Sequence, residues 1–179
     1  MCSARGMAHK LALDPPQGPL TLLTDGFVDR VVEAARMSPR RRIIAPFHKH
    51  DGELLHRMLN AVEPDSYIRP HRHLAPPKDE AWVLLRGSVA FFTFDDAGSI
   101  IHAVHLAAGS STFGVDLVAG IYHTFVALET GTVIYEVKPG PYAPADDKTY
   151  APFAPAEGTP AAAAYLEGLR NAYLRGAQN

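Results

Sequence analysis

The chain has 179 residues with a formal net charge of -2, nearly balanced between 17 basic and 19 acidic side chains, and a mean hydropathy of -0.06. That length suits one domain with a sizeable core and leaves no room for a second; the even charge supplies neither a basic stripe for nucleic acid nor an acidic tail. The one cysteine, Cys2, cannot form an internal disulfide, and no apolar run approaches the roughly 20 residues of a membrane span, so a cytoplasmic protein without membrane or nucleic-acid partners is expected.

Residues 1–18 are mixed and include Asp14-Pro15-Pro16-Gln17-Gly18, which reads as a flexible arm. Residues 19–23 have the texture of a short strand. Thr24 or Asp25 then caps a helix over 25–37 whose Phe27, Val28, Val31, Val32 and Ala35 share one face, and Ser38-Pro39 ends it. Arg40-Arg41-Arg42 could hold phosphate, but so short a charge run reads more readily as a solvated turn. His48 and His50 precede Asp51-Gly52, a turn signal, and no carboxylate follows at matching spacing; they read as surface histidines.

Between residues 54 and 138 the pattern is strand after strand. Stretches at 54–62, 66–70, 82–86, 88–95, 99–106, 112–115, 122–128 and 132–138 are rich in branched and aromatic residues and bounded by Gly, Pro or Asp. Evenly spaced short strands of this kind predict an all-β antiparallel sandwich or barrel. Side chains two apart in a strand share a face, so His71 and His73 project together with Arg72 between them. Ala75-Pro76-Pro77 reads as a turn that lets Glu80 open the next strand and reach those imidazoles. With His123, these groups make a first shell for one divalent transition metal (Fe, Zn, Ni or Mn) with positions left open.

On the strand of His123, parity turns Phe125 and Ala127 inward and Tyr122, Thr124 and Val126 to the other side. His102 and His105 have opposite parity and read as strand-surface histidines. Asn60 and Arg69 are candidates either for contact with a substrate at the metal or for structural hydrogen bonds. Lys78 and Asp79 are the nearest acid–base groups to Glu80, and Lys78, Tyr122 and Phe125 complete the pocket candidates. Residues 139–160, rich in Pro and Ala, should wrap the surface as an arm anchored by Tyr142, Tyr150 and Phe153. Thr159 and Pro160 then start a helix to Gly176 with Ala162, Leu166, Leu169 and Tyr173 as its buried stripe, packed on the barrel or on a partner subunit.

The set His71, His73, Glu80, Gly87, followed by Gly120-Ile121-Tyr122-His123, resembles the two motifs of the cupin family of small β-barrels, although the spacing from His73 to Glu80 is longer than usual there. Segments Arg57-Met58-Leu59-Asn60-Ala61, Arg69-Pro70-His71-Arg72-His73, Val83-Leu84-Leu85-Arg86-Gly87, Phe94-Asp95-Asp96-Ala97-Gly98, Gly114-Val115-Asp116 and Glu136-Val137-Lys138-Pro139-Gly140-Pro141-Tyr142 are similar to the WbuC family of cupin-fold metalloproteins. The resemblance covers roughly residues 20–158 and implies a double-stranded β-helix (jelly-roll) domain over 19–158, flanked by an N-terminal and a C-terminal helix. It further implies a bound metal and an association with surface-polysaccharide biosynthesis. It carries no reaction.

Two functions follow as expectations. One is a metal-dependent enzyme acting on a small polar metabolite such as a sugar or nucleotide-sugar; the other is a non-catalytic small-molecule-binding module with a structural metal. A metal-free epimerase-type cupin accounts less well for three aligned histidines and a glutamate. Apolar strand and helix faces beyond what one small barrel covers predict a homodimer.

Overall fold

Alternation along one strand assigns its faces: in β4 (Glu80–Arg86), Glu80, Trp82 and Leu84 are buried while Ala81, Val83 and Leu85 are exposed. The computed structural model describes residues 10–143 and 147–176 and contains ten strands and two helices within them. One sheet joins β1 (Arg42–Pro46), β2 (Leu55–Val62), β9 (Thr132–Pro139), β4 and β7 (Gly114–Leu117) in that spatial order; the other joins β10 (Thr149–Tyr150), β3 (His71–Arg72), β8 (Tyr122–Ala127), β5 (Ser88–Phe94) and β6 (Ile100–Ala107). Every strand pairing in both sheets is antiparallel.

The two sheets face each other across a core of Val62, Trp82, Leu84, Val89, Phe91, Leu106, Leu117, Phe125, Ala127 and Ile134. The outer face of the first sheet is covered by α1 (Asp25–Met37), whose Val28, Val31, Val32 and Ala35 pack on Ile43, Ala45, Leu59, Ala61 and Val133. Thr24 caps that helix by accepting a hydrogen bond from the Phe27 amide at 3.3 Å. α2 (Pro160–Gly176) covers the other sheet: Ala162, Leu166 and Leu169 bury against Ala90, Phe92, Phe94, Tyr122 and Val126. β5 and β8 are therefore buried on both faces, which is why they read as unbroken apolar runs. Full burial of a ring such as Phe92 stabilises the fold by about 1.5–3 kcal/mol. The result is the double-sheet antiparallel barrel with flanking helices that the resemblance to cupins implies.

The sheets are linked at Gly87, the bend between β4 and β5. Its φ is +71°, and a Cβ there would lie 2.4 Å from Oγ1 of Thr132. Only glycine combines that conformation with that approach.

Several local expectations need correcting. Residues 19–23 form no strand; no sheet edge receives them, and Leu20 and Leu22 are exposed. Residues 66–70 are irregular, and the ladder begins only at His71. The pairing expected at 112–115 is displaced to Gly114–Leu117. Arg42, expected in a solvated turn, opens β1 and pairs with Val62 across to β2. The C-terminal arm contributes β10, two residues that pair with β3. Of the arm expected at 1–18, residues 1–9 lie outside those described, and the Leu13 amide donates to the Ile44 carbonyl at 2.8 Å. Among the described residues, no helix is long and apolar enough to cross a membrane.

Candidate metal centre

β3 and β8 are neighbours with His71 opposite His123, so both imidazoles enter the barrel from one sheet. His73 follows β3 directly, and Glu80 enters from the facing sheet as the first residue of β4. His71, His73 and His123 each offer one nitrogen within 4.8 Å of the others, the arrangement of a group that could hold a metal ion. All four side chains are covered, with His71 the most exposed at 6% and His123 the least at 1%.

The second nitrogen of each ring decides what the first can do. Nδ1 of His71 meets the Arg69 carbonyl at 2.9 Å, Nδ1 of His123 meets the Ile121 carbonyl at 2.9 Å, and Nδ1 of His73 meets the Asp147 carbonyl. A carbonyl oxygen only accepts, so each Nδ1 carries the proton and each Nε2 presents a lone pair. Nε2 of His73 lies 2.9 Å from Oε1 of Glu80, and Nε2 of His123 lies 3.1 Å from Oε2. Both Nε2 atoms are buried, and neither satisfies hydrogen-bond geometry. Lone pairs facing a carboxylate at this range repel unless a cation lies between them. Burial pushes the His71 pKa well below its usual value, and nearby Lys148 and His123 push it the same way. Burial works to raise the Glu80 pKa, and the Lys138 ammonium at 3.5 Å works against it.

A second layer of charge surrounds the histidines. Nζ of Lys138 lies 3.2 Å from Glu136, 3.5 Å from Glu80 and 3.7 Å from Asp147. Those three carboxylates outweigh the cost of burial and raise the pKa of Lys138. Lys78 donates to the Pro141 carbonyl at 2.7 Å and to Asp147 at 3.2 Å, which fastens the arm after β9 over the site. Asn60, on the inner face of β2, donates to Glu136 at 2.7 Å. Sequence reasoning assigned no role to Glu136, Lys138 or Asp147. The first two were visible in principle, since charged residues alternate with Val137 on a strand whose Ile134 points inward. Asp147 reaches the site through the path of the arm and gave no sequence signal.

The remaining candidates scatter. Arg69 donates to the Ala151 carbonyl at 2.8 Å and lies over the Tyr150 ring at 5.2 Å. Phe125 shares the face of His123 but packs into the core, 5.2 Å from Trp82. Tyr122 is not at the centre: opposite parity to His123 puts it in the outer cluster, under Arg72 at 4.3 Å and beside Phe153 at 5.6 Å. Asp79 faces outward and accepts from the Ala119 amide at 2.8 Å. His48 stacks on His56 at 3.9 Å, His50 is exposed, and His102 meets Thr93 Oγ1 at 2.8 Å. Among the described residues no second group of three metal-ligating side chains forms.

A family model described as a domain of unknown function, DUF6016, matches residues 23–106. No curated protein matches the sequence. Oxalate decarboxylase from Bacillus subtilis is a structural neighbour with 18% identity and a TM-score of 0.44, aligned over 55% of this chain and 24% of that one. KdgF from Halomonas sp. is another, with 16% identity and a TM-score of 0.42 over 55% of this chain and 78% of that one. The chain thus spans about a quarter of the length of the decarboxylases it matches.

Proposed function

We propose that this chain is a cupin-fold metalloprotein in which Nε2 of His71, His73 and His123 ligate one divalent transition metal, with Glu80 as the fourth ligand. The observation that carries the reading is the pair of orphaned Nε2 lone pairs set against the Glu80 carboxylate at 2.9 and 3.1 Å. The donor set of three imidazoles and a carboxylate suits Fe, Zn, Ni or Mn and leaves positions for a ligand. Bound there, the metal would supply Lewis-acid chemistry to a small polar metabolite. The chain's own residues do the rest: the carbonyls of Arg69, Ile121 and Asp147 fix each ring's tautomer, and Lys138 with Lys78 holds Glu80 and Asp147 in place.

A sugar or nucleotide-sugar substrate in surface-polysaccharide biosynthesis is the finer form of this reading. It rests on the resemblance to the WbuC family, as do a cytoplasmic location and a homodimeric state on the sequence expectations. The near-complete burial of all four groups favours a second reading, a small-molecule-binding module with a structural metal. Elemental analysis after anaerobic purification with each metal supplied tests the first claim. Protein that stays metal-free under all four conditions overturns it. Mass spectrometry of sugars and sugar nucleotides incubated with the loaded protein, with and without oxygen, separates enzyme from binder.

A further inference from the structure

An apolar patch on the inner face of the first sheet is crossed by a diagonal of polar side chains. The patch is Met58 and Val62 on β2, Ile134 on β9, and Trp82 and Leu84 on β4, all buried. The diagonal is Glu80, Lys138, Glu136 and Asn60, each in reach of the next. Nζ of Lys138 lies 3.5 Å from Glu80 and 3.2 Å from Glu136, and Nδ2 of Asn60 donates to Oε2 of Glu136 at 2.7 Å. The register sets its slant: Glu136 pairs with Trp82 and Met58, whereas Asn60 pairs with Ile134, two residues further along β9.

Polar groups inside a barrel lose water, and apolar side chains of similar size would hold the sheets together at least as well. Exposure, however, rises along the row. The side chain of Glu80 is 3% exposed, that of Lys138 9% and that of Glu136 12%, and Asn60 at the far end is also partly exposed. The row thus leads from the covered histidine centre toward solvent, and a ligand of that centre needs such a wetted wall to enter by.

The end of the row has hydrogen-bonding capacity to spare. One N–H of the Asn60 amide is taken by Glu136, while its second N–H and its Oδ1 have no partner among the described residues. Glu136 keeps lone pairs beyond those that face Asn60 and Lys138. A group that complements both side chains accepts from the amide and donates to the carboxylate. A hydroxyl does both; a carboxylate or phosphate does not donate, and a cation finds Glu136 already neutralised by Lys138.

We infer that Asn60 and Glu136 form a hydroxyl-binding subsite on the barrel wall, and that the ligand it serves is a small neutral polyol with its other end toward the histidines. Where that other end lies rests on the proposed metal centre; the hydroxyl subsite itself does not.

Titration calorimetry on the full, zinc-loaded chain tests this with glucose and with myo-inositol, against succinate as a comparator without hydroxyls. At least one polyol is expected to bind at millimolar concentration or better. Asn60→Ala and Glu136→Gln should each weaken that binding by about tenfold or more, since a site built to pair with a hydroxyl loses its partner. Asn60→Ser, which keeps a hydroxyl toward Glu136, takes the place of Asn60→Ala if that variant is unfolded. Metal content and melting temperature near wild type separate a lost subsite from a lost centre or a lost fold. Asn60-dependent polyol binding in chain that takes up no metal would sink the metal reading and leave the subsite standing. Wild-type chain that binds neither polyol, variants that bind as tightly as wild type, or succinate held more tightly than both polyols through Asn60 would each overturn the inference.

Discussion

Oε1 of Glu80 lies 2.9 Å from Nε2 of His73, a ring whose Nδ1 is already turned to the Asp147 carbonyl. Carboxylate and lone pair therefore face each other across a buried gap that a cation would bridge. Removing the metal should expose that repulsion. A ligand present at a thousandfold over its Kd stabilises the folded state by about 4.1 kcal/mol. At roughly 2–4 °C per kcal/mol for a chain of this size, chelation should lower the melting temperature by about 8–16 °C. Calorimetry before and after dialysis against a chelator checks it, and an unchanged melting temperature with confirmed metal loss would count against the centre. His73→Ala should bind little metal and no longer respond to the chelator.

Among the described residues, Lys138 is the one ammonium in contact with Glu80, Glu136 and Asp147 together. Lys138→Met should leave Glu80 and Glu136 without their ammonium, while Asp147 keeps Lys78, and cost about 3–5 kcal/mol, the range for breaking a buried pair by deleting one partner. Urea denaturation gives the value. A loss under 1 kcal/mol would show that water replaces the ammonium.

His56 gives the fold a pH dependence. Its ring is covered, stacks on His48 and lies 3.2 Å from the Asp51 carbonyl, and burial followed by His48 pushes its pKa below the ordinary value. The folded chain therefore binds fewer protons than the unfolded one once pH falls below the unfolded histidine value of about 6.5. Stability should thus decline from pH 7 toward pH 5, with a contribution from this group of at most about 1.4 kcal/mol per pH unit. His56→Gln, which retains a donor toward Asp51, should flatten that decline in chelated protein. Equal slopes for the two proteins would remove His56 as a cause.

Gly87 ties sequence to architecture at one position. Gly87→Ala must hold a left-handed conformation and place its Cβ 2.4 Å from Thr132 Oγ1, so a loss of about 2 kcal/mol or more is expected by chemical denaturation. Adding Thr132→Ala should restore only part of it, because the backbone conformation stays unfavourable.

How much was legible depended on the range of the interaction. β4, β5, β8 and β9 are read from alternation or from unbroken apolar runs, since their own side chains set which faces bury. The shared direction of His71 and His73 follows from parity even though β3 is only two residues long. What could not be read depends on partners far along the chain. Residues 19–23 look like a strand but meet no edge, whereas Thr149–Tyr150 look like an arm and find one in β3. Asp147, 74 residues from His73, supplies the carbonyl that orients its ring, and no local pattern announces it.

The chain carries its own reporter of the centre. Trp82 is the only tryptophan, and its ring lies edge-on to His123 at 5.6 Å on the same inner face of β4 as Glu80. Its Nε1 is buried and, among the described residues, has no hydrogen-bond partner. An open-shell ion held by His123 and Glu80 would lie close enough to drain the excited indole. Titrating metal-stripped chain with Ni or Mn should therefore quench the fluorescence to a break at one equivalent, while Zn, which has a closed shell, should change it far less. His71→Ala should weaken the response without altering the starting spectrum, because that ring is not in contact with the indole. Chain that binds Ni at one equivalent by elemental analysis, yet keeps its emission unchanged, would place the ion away from His123 and overturn the assignment of the ligands.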